Sequence, residues 1–179
     1  MSKLSRVYAG ALFDIALEAS IAQEILQQTV ELLAVLKENP KFEKLLNAPV
    51  VPIKEKIALL DEIFGGKINT YLLNYMKVMT QRKCAFELAD SFLEYEKLYN
   101  KHNNIEKVTA ITAVPMTGEL MDKLKAKLTN ITEKTILLNN VVDKNCIGGV
   151  ILKMNDHEIN DSIAQKLETL KAQLRNINA

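Results

Sequence analysis

The chain has 179 residues, with 23 Lys and Arg against 22 Asp and Glu, two His, two Cys and no Trp. That length suits one or two ordinary domains whose cores need neither disulfides nor metal, and a net charge of +1 gives no broad attraction for nucleic acid or anionic lipid. Charge is balanced on both sides of residue 104, with 13 basic and 13 acidic residues up to it and 10 and 9 after it, yet every Phe and Tyr lies between Tyr8 and Tyr99. The texture of the chain changes near residue 100.

Residues 3–19 open the pattern. Leu4, Val7, Tyr8, Ala11, Leu12, Ile15, Ala16 and Ala19 fall at steps of three and four, the spacing of an amphipathic helix. Ala9, Phe13 and Leu17 form a second apolar ridge on nearly the opposite side. A surface helix needs one buried face, so this one either crosses the middle of a bundle or keeps a side for a partner. A second helix carries Ile25, Leu26, Thr29, Leu32, Leu33 and Leu36 and closes at Asn39-Pro40, because a residue before proline disfavours the helical region. A short third runs over 41–47. Pro49 and Pro52 bracket a turn into a fourth with Ile53, Ile57, Leu60, Ile63 and Phe64, which stops at Gly65-Gly66. Leu72, Tyr75, Met76 and Met79 mark a fifth helix, and Ala85, Leu88, Ala89, Phe92 and Tyr99 a sixth. The expectation is a six-helix bundle over 1–104.

Residues 100–104, Asn-Lys-His-Asn-Asn, are polar and non-periodic and read as a joint. Val108–Val114 is β-branched or small and reads as a strand ended by Pro115. Thr117 then caps a helix with Leu120, Met121, Leu124 and Leu128 inward. Thr135–Val142 and Cys146–Met154 read as two strands of a β-hairpin across Asp143-Lys144-Asn145. Asn155-Asp156 makes a turn, and Ser162-Ile163-Ala164-Gln165 has the spacing of a capping box opening a last helix with Ile163, Leu167, Leu170 and Leu174 inward. The fold class expected is therefore mainly α, with a small α+β domain of order β-α-β-β-α over 105–179.

Reactive groups are scarce. His102 and His157 each lack a second His or Cys at metal-ligand spacing, and Asp156, Glu158 and Asp161 lack the spacing of a calcium loop. Cys84 and Cys146 belong to no CxxC pair and read as small buried hydrophobes. The expectation is no catalytic residue, no cofactor and no metal. The N-terminal residues show no long apolar run or transit character, and no stretch approaches the roughly 18 apolar residues of a membrane span, so any membrane contact is expected to be indirect. Gly148-Gly149 is the most unusual local feature. Paired glycine inside the strand run Cys146-Ile147-Gly148-Gly149-Val150-Ile151-Leu152 costs strand stability and marks either a bulge or a close approach by another backbone, including a partner's.

Several segments together resemble one family. Arg6-Val7-Tyr8-Ala9-Gly10-Ala11-Leu12-Phe13 resembles the opening Tyr-Ala-x-Ala-Leu-Phe of the δ subunit of bacterial F-type ATP synthase, whose mitochondrial counterpart is the oligomycin-sensitivity-conferring protein. Val78-Met79-Thr80-Gln81-Arg82 and the helix to Tyr99 resemble that family's fifth and sixth helices, and 109–117 its linker. The most specific match is Asp143 followed by Ile147-Gly148-Gly149-Val150, with Ile159-Asn160-Asp161-Ser162-Ile163 in step. The chain departs from the family at Asn160, where Asp is usual, and at Cys146 and Asn155.

The resemblance implies a non-catalytic stator part, present in single copy in a hetero-oligomer at the cytoplasmic face of a bacterial membrane. It implies that the N-terminal domain binds the amphipathic N-terminal helix of an α subunit between its first and fifth helices. Carried over residue by residue, that selects Tyr8, Ala11, Leu12 and Ile15, with Tyr71, Tyr75 and Val78. It also implies that the C-terminal domain meets the C-terminal ends of the b subunits, with Asp143, Gly148 and Gly149 as its structural motif. Composition and periodicity taken alone fit an unrelated helical adaptor equally well.

Overall fold

Ser2 opens the first helix of the computed structural model. Its hydroxyl oxygen accepts the backbone N–H groups of Leu4 (3.1 Å) and Ser5 (3.2 Å), two donors that no earlier turn can satisfy. The structure describes residues 2–146, 148–154, 157–163 and 165–167. Their fold is mainly helical, with a four-stranded sheet toward the C-terminal end. The chain divides into two units, Met1–Asn100 and Lys101–Ala179.

In the first unit α1 (Lys3–Glu18), α2 (Ala22–Glu38), α3 (Pro40–Asn47), α4 (Ile53–Phe64), α5 (Thr70–Gln81) and α6 (Leu88–His102) surround one apolar core, with a 3-10 turn at Ala85–Glu87. Local chemistry sets their ends. Pro40 takes the first turn of α3, where its missing N–H costs nothing. Beyond α4 the chain turns at Gly66 with φ +71°, a left-handed conformation that glycine adopts without steric cost. Aromatic rings knit the core. Phe13 meets Tyr95 edge-on with ring centres 5.6 Å apart, Phe42 meets Phe64 at 5.9 Å, and Tyr75 lies beside Phe92 at 6.2 Å. The Tyr95 hydroxyl donates to Ala22 O (3.0 Å), tying α6 to the start of α2. Helix α6 continues through Asn100-Lys101-His102, and the polar joint shortens to Asn103-Asn104, where Asn104 turns the chain with φ +52°.

The second unit departs from the expected hairpin. Its elements are β1 (Ile105–Thr112), α7 (Gly118–Thr132), β2 (Thr135–Val142), a 3-10 turn at Lys144–Cys146, β3 (Val150–Met154) and β4 (His157–Asn160). The strand order is β2-β1-β3-β4, so β2 and β3 are not paired. β1 lies between them, parallel to β2 and antiparallel to β3, and the hairpin is β3–β4. β1 takes the inner place because Val108, Ala110 and Thr112 are all buried on one face. After β2 the chain passes the end of β1, where Asp143 N–H donates to Thr112 O (2.9 Å). The third strand starts at Val150 rather than Cys146, and His157–Asn160 is a strand that the sequence pattern did not show.

Among the described residues, the buried apolar cluster of this unit is Val108, Ala110, Leu128, Ile136 and Leu152. Leu120, expected inward on α7, is exposed, while Leu128 is buried. Half of the expected capping box is present: Gln165 N–H donates to Ser162 Oγ (3.2 Å), while the N–H of Ser162 goes to Asn160 Oδ1 (3.1 Å). Ile163 and Leu167 are exposed rather than inward. Leu170 and Leu174, like Ile147, Asn155, Asp156 and Ala164, lie outside the described residues.

Candidate partner-binding surface

Helix α1 buries one arc and exposes another. Ser5, Ala9, Leu12, Phe13 and Ala16 are the buried positions. At about 100° per residue they occupy one continuous third of the helix. The neighbouring arc is apolar as well: Leu4, Val7 (64% exposed) and Ile15 (44% exposed) face outward with Ala11. Leu12 is therefore a core residue, 3% exposed, and not part of a free surface. It lies about 80° from Leu4 around the axis, on the side that meets the core. The second ridge divides too, since Ala9 and Phe13 are buried while Leu17 is exposed.

Helix α5 packs beside α1 and repeats the arrangement. Leu72, Leu73, Met76, Met79 and Thr80 are buried, whereas Tyr71 (50% exposed) and Val78 (43% exposed) face outward with half-buried Tyr75 between them. Tyr8 and Tyr75 both lean on the core while keeping part of their surface exposed. Burial pushes the Tyr75 phenol up to about 12; the nearby Ser91 hydroxyl offsets only part of this, and Tyr8 adds to it. Ser91 instead donates to Leu88 O (2.8 Å), and Tyr75 Oη is left without a hydrogen-bond partner of good geometry.

The structure thus brings six of the seven expected residues to the exposed or half-exposed surface of two adjacent helices, and assigns Leu12 to the core. Val7 belongs with them and was missing from the expected set. Its signal was the i, i+4, i+8 series Val7, Ala11, Ile15. Such a surface is apolar and shaped by two helices, which suits a helical partner rather than a reacting small molecule.

Gly149 has φ +82°, and a Cβ added there would press on the carbonyl oxygen of Asp161 and lie 3.1 Å from Ser162 Cα. The approaching backbone is the chain's own: Asp161 N–H donates to Val150 O (3.1 Å) and Ile163 N–H to Gly148 O (3.0 Å). Asn160 serves the same junction, its Oδ1 accepting the N–H (3.1 Å) and hydroxyl (2.7 Å) of Ser162. A carboxylate at this position could accept both bonds as the amide does. Glu158 pairs with Lys153 (3.4 Å) and Asp161 with Lys166 (2.7 Å). Among the described residues no three His, Cys, Asp or Glu side chains converge on a metal-sized site, and no helix is long and apolar enough to cross a membrane.

The profile of the family described as ATP synthase delta (OSCP) subunit matches residues 4–174. The chain belongs to that family. It is 31% identical over 172 residues to the ATP synthase subunit delta of Moorella thermoacetica, covering 96% of each chain. It is 30% identical over 171 residues to that of Clostridioides difficile, covering 95% of this chain and 94% of the relative. Its fold is similar to that of a chain in the mitochondrial ATP synthase hexamer of Toxoplasma gondii, with a TM-score of 0.77, 19% identity, and 97% and 98% of the two chains covered. As a δ/OSCP-family subunit it is structural and non-catalytic.

Proposed function

We propose that this chain is a stator component of a proton-translocating F-type ATP synthase, joining the catalytic head to the peripheral stalk so that the head does not turn with the rotor. The α1–α5 surface takes the amphipathic N-terminal helix of an α subunit, and the second unit meets the C-terminal ends of the b subunits. The protein acts in one copy, peripheral to the membrane on its cytoplasmic side. Family membership supplies the setting. The observation that carries the reading is the apolar arc of α1, with Val7 and Ile15 exposed, and the exposed Tyr71 and Val78 of the α5 that packs against it, while both helices already fill the core with other residues. A helix has no need of two apolar faces unless something covers the second.

The magnitudes agree. Four apolar anchors at about 1.5–3 kcal/mol each give roughly 6–12 kcal/mol before association costs, enough for moderate affinity that the assembled complex raises by avidity. Calorimetric titration of the full chain with a peptide spanning the N-terminal helix of the α subunit tests this. Val7→Asp should abolish measurable heat with the helical circular-dichroism spectrum unchanged, because Val7 touches little of the core. Undiminished binding by that variant would remove the surface from consideration.

A further inference from the structure

The first turn of α5, which carries Tyr71, hangs from α2 by a hydrogen-bonded clasp. Asn69 N–H donates to Gln28 Oε1 (2.7 Å), and Asn69 Nδ2 donates to Glu24 Oε1 (3.0 Å), an oxygen that also accepts Gln28 Nε2 (3.2 Å). The remaining polar atom of the Asn69 side chain, Oδ1, accepts Tyr71 N–H (3.0 Å) and caps the helix. Glu24 and Gln28 are one turn apart on α2, so they face the same way and act as one acceptor surface. Asn69 is half-buried, and its N–H, amide nitrogen and amide oxygen each engage a different residue.

Apolar packing between helices is non-directional, so it favours close contact of α5 with α1 without itself specifying one hydrogen-bonded register. Hydrogen bonds are directional, weakening steeply once bent, and these cross-links join segments 41 and 45 residues apart in sequence. Asn69 stands two residues before Tyr71, and Tyr71, Tyr75 and Val78 follow at helical spacing. We infer that the Glu24–Gln28–Asn69 clasp is a positioning device, fixing the rotation and axial register of α5 so that these three side chains line up with the exposed arc of α1. The inference rests on the reading of that surface as the dock for an amphipathic helix, and it makes residues that never touch the partner determinants of its affinity.

The test uses the full chain and the same N-terminal peptide of the α subunit. Gln28→Leu leaves Asn69 N–H without its acceptor and should weaken peptide binding about tenfold. In a Tyr71→Ala background the same change should have a much smaller effect, since the side chain being positioned is gone. A conservative rescue separates positioning from bulk stability. Asn69→Asp keeps the cap on Tyr71 but faces Glu24 with a second carboxylate, and should weaken binding; adding Glu24→Gln returns a donor to the pair and should restore it. Strong peptide binding by the unaltered chain, with additive losses for Gln28→Leu and Tyr71→Ala or no rescue in the double variant, would overturn the clasp alone. No binding by the unaltered chain would overturn the docking surface and the clasp with it.

Discussion

Leu12 and Ile15 are three residues apart on one helix and have opposite fates, 3% and 44% exposed. Their alanine variants should separate stability from binding. Leu12→Ala opens a cavity and should cost about 2–5 kcal/mol, read from urea unfolding, whereas Ile15→Ala should leave the urea midpoint unchanged and weaken the peptide titration several-fold. Periodicity alone could not distinguish them, because an apolar residue scores the same whether it faces a core or a partner. The phenols give a second prediction. Burial raises Tyr75 to about 12 and raises Tyr95 above its ordinary value as well, with the Tyr99 charge adding to the latter. A folded-state pKa above the unfolded one means the neutral phenol is favoured by folding. That stability is therefore complete below pH 10 and drains away as pH climbs toward 12 and beyond. Helical ellipticity followed against pH should fall in that window, and Tyr75→Phe, which also deletes a hydroxyl with no partner, should shift the fall to higher pH.

At the scale of elements, the helices of the first unit were legible because their signals are local: Asn39-Pro40, Pro52 and Gly65-Gly66 punctuate apolar runs of helical period. The sheet was not. Strand pairing is a non-local choice, and 135–142 next to 146–154 looks like a hairpin to any reading that weighs only chain distance. What overrode proximity was burial: Val108, Ala110 and Thr112 take the inner position, and just ahead of the strand from Val150 Gly149 lies against Asp161. β4 escaped notice because it is short, with Ile159 its one strongly apolar residue, and that residue is exposed. The junction after β4 was half legible. Ser162 caps as its spacing predicts, while the use of Asn160 as a double acceptor emerges only in three dimensions. Ser162→Ala should destabilise the second unit by about 1 kcal/mol, measured by denaturant unfolding. Asn160→Asp should leave it unchanged or slightly firmer, since an ionised acceptor makes the stronger hydrogen bond.

Across the whole molecule, the loss of aromatics after Tyr99 corresponds to two different ways of making a core. The first unit has ring pairs and eighteen buried apolar residues, whereas the second has six among those described. Among its described residues the second unit also relies on close backbone approach, and Gly149 is one such place. Gly149→Val would impose a side chain at φ +82° and drive it into the Asp161 carbonyl. Both effects destabilise, by several kcal/mol together. If the two units carry separate jobs, this variant of the full chain should no longer bind a peptide taken from the C-terminal end of the b subunits, while titrating the α-subunit peptide with unaltered affinity. Parallel loss of both would mean that the α1–α5 surface depends on the folded sheet. Retention of both would mean that the Asp161 segment can move aside, leaving the glycine pair without the structural role that its geometry assigns.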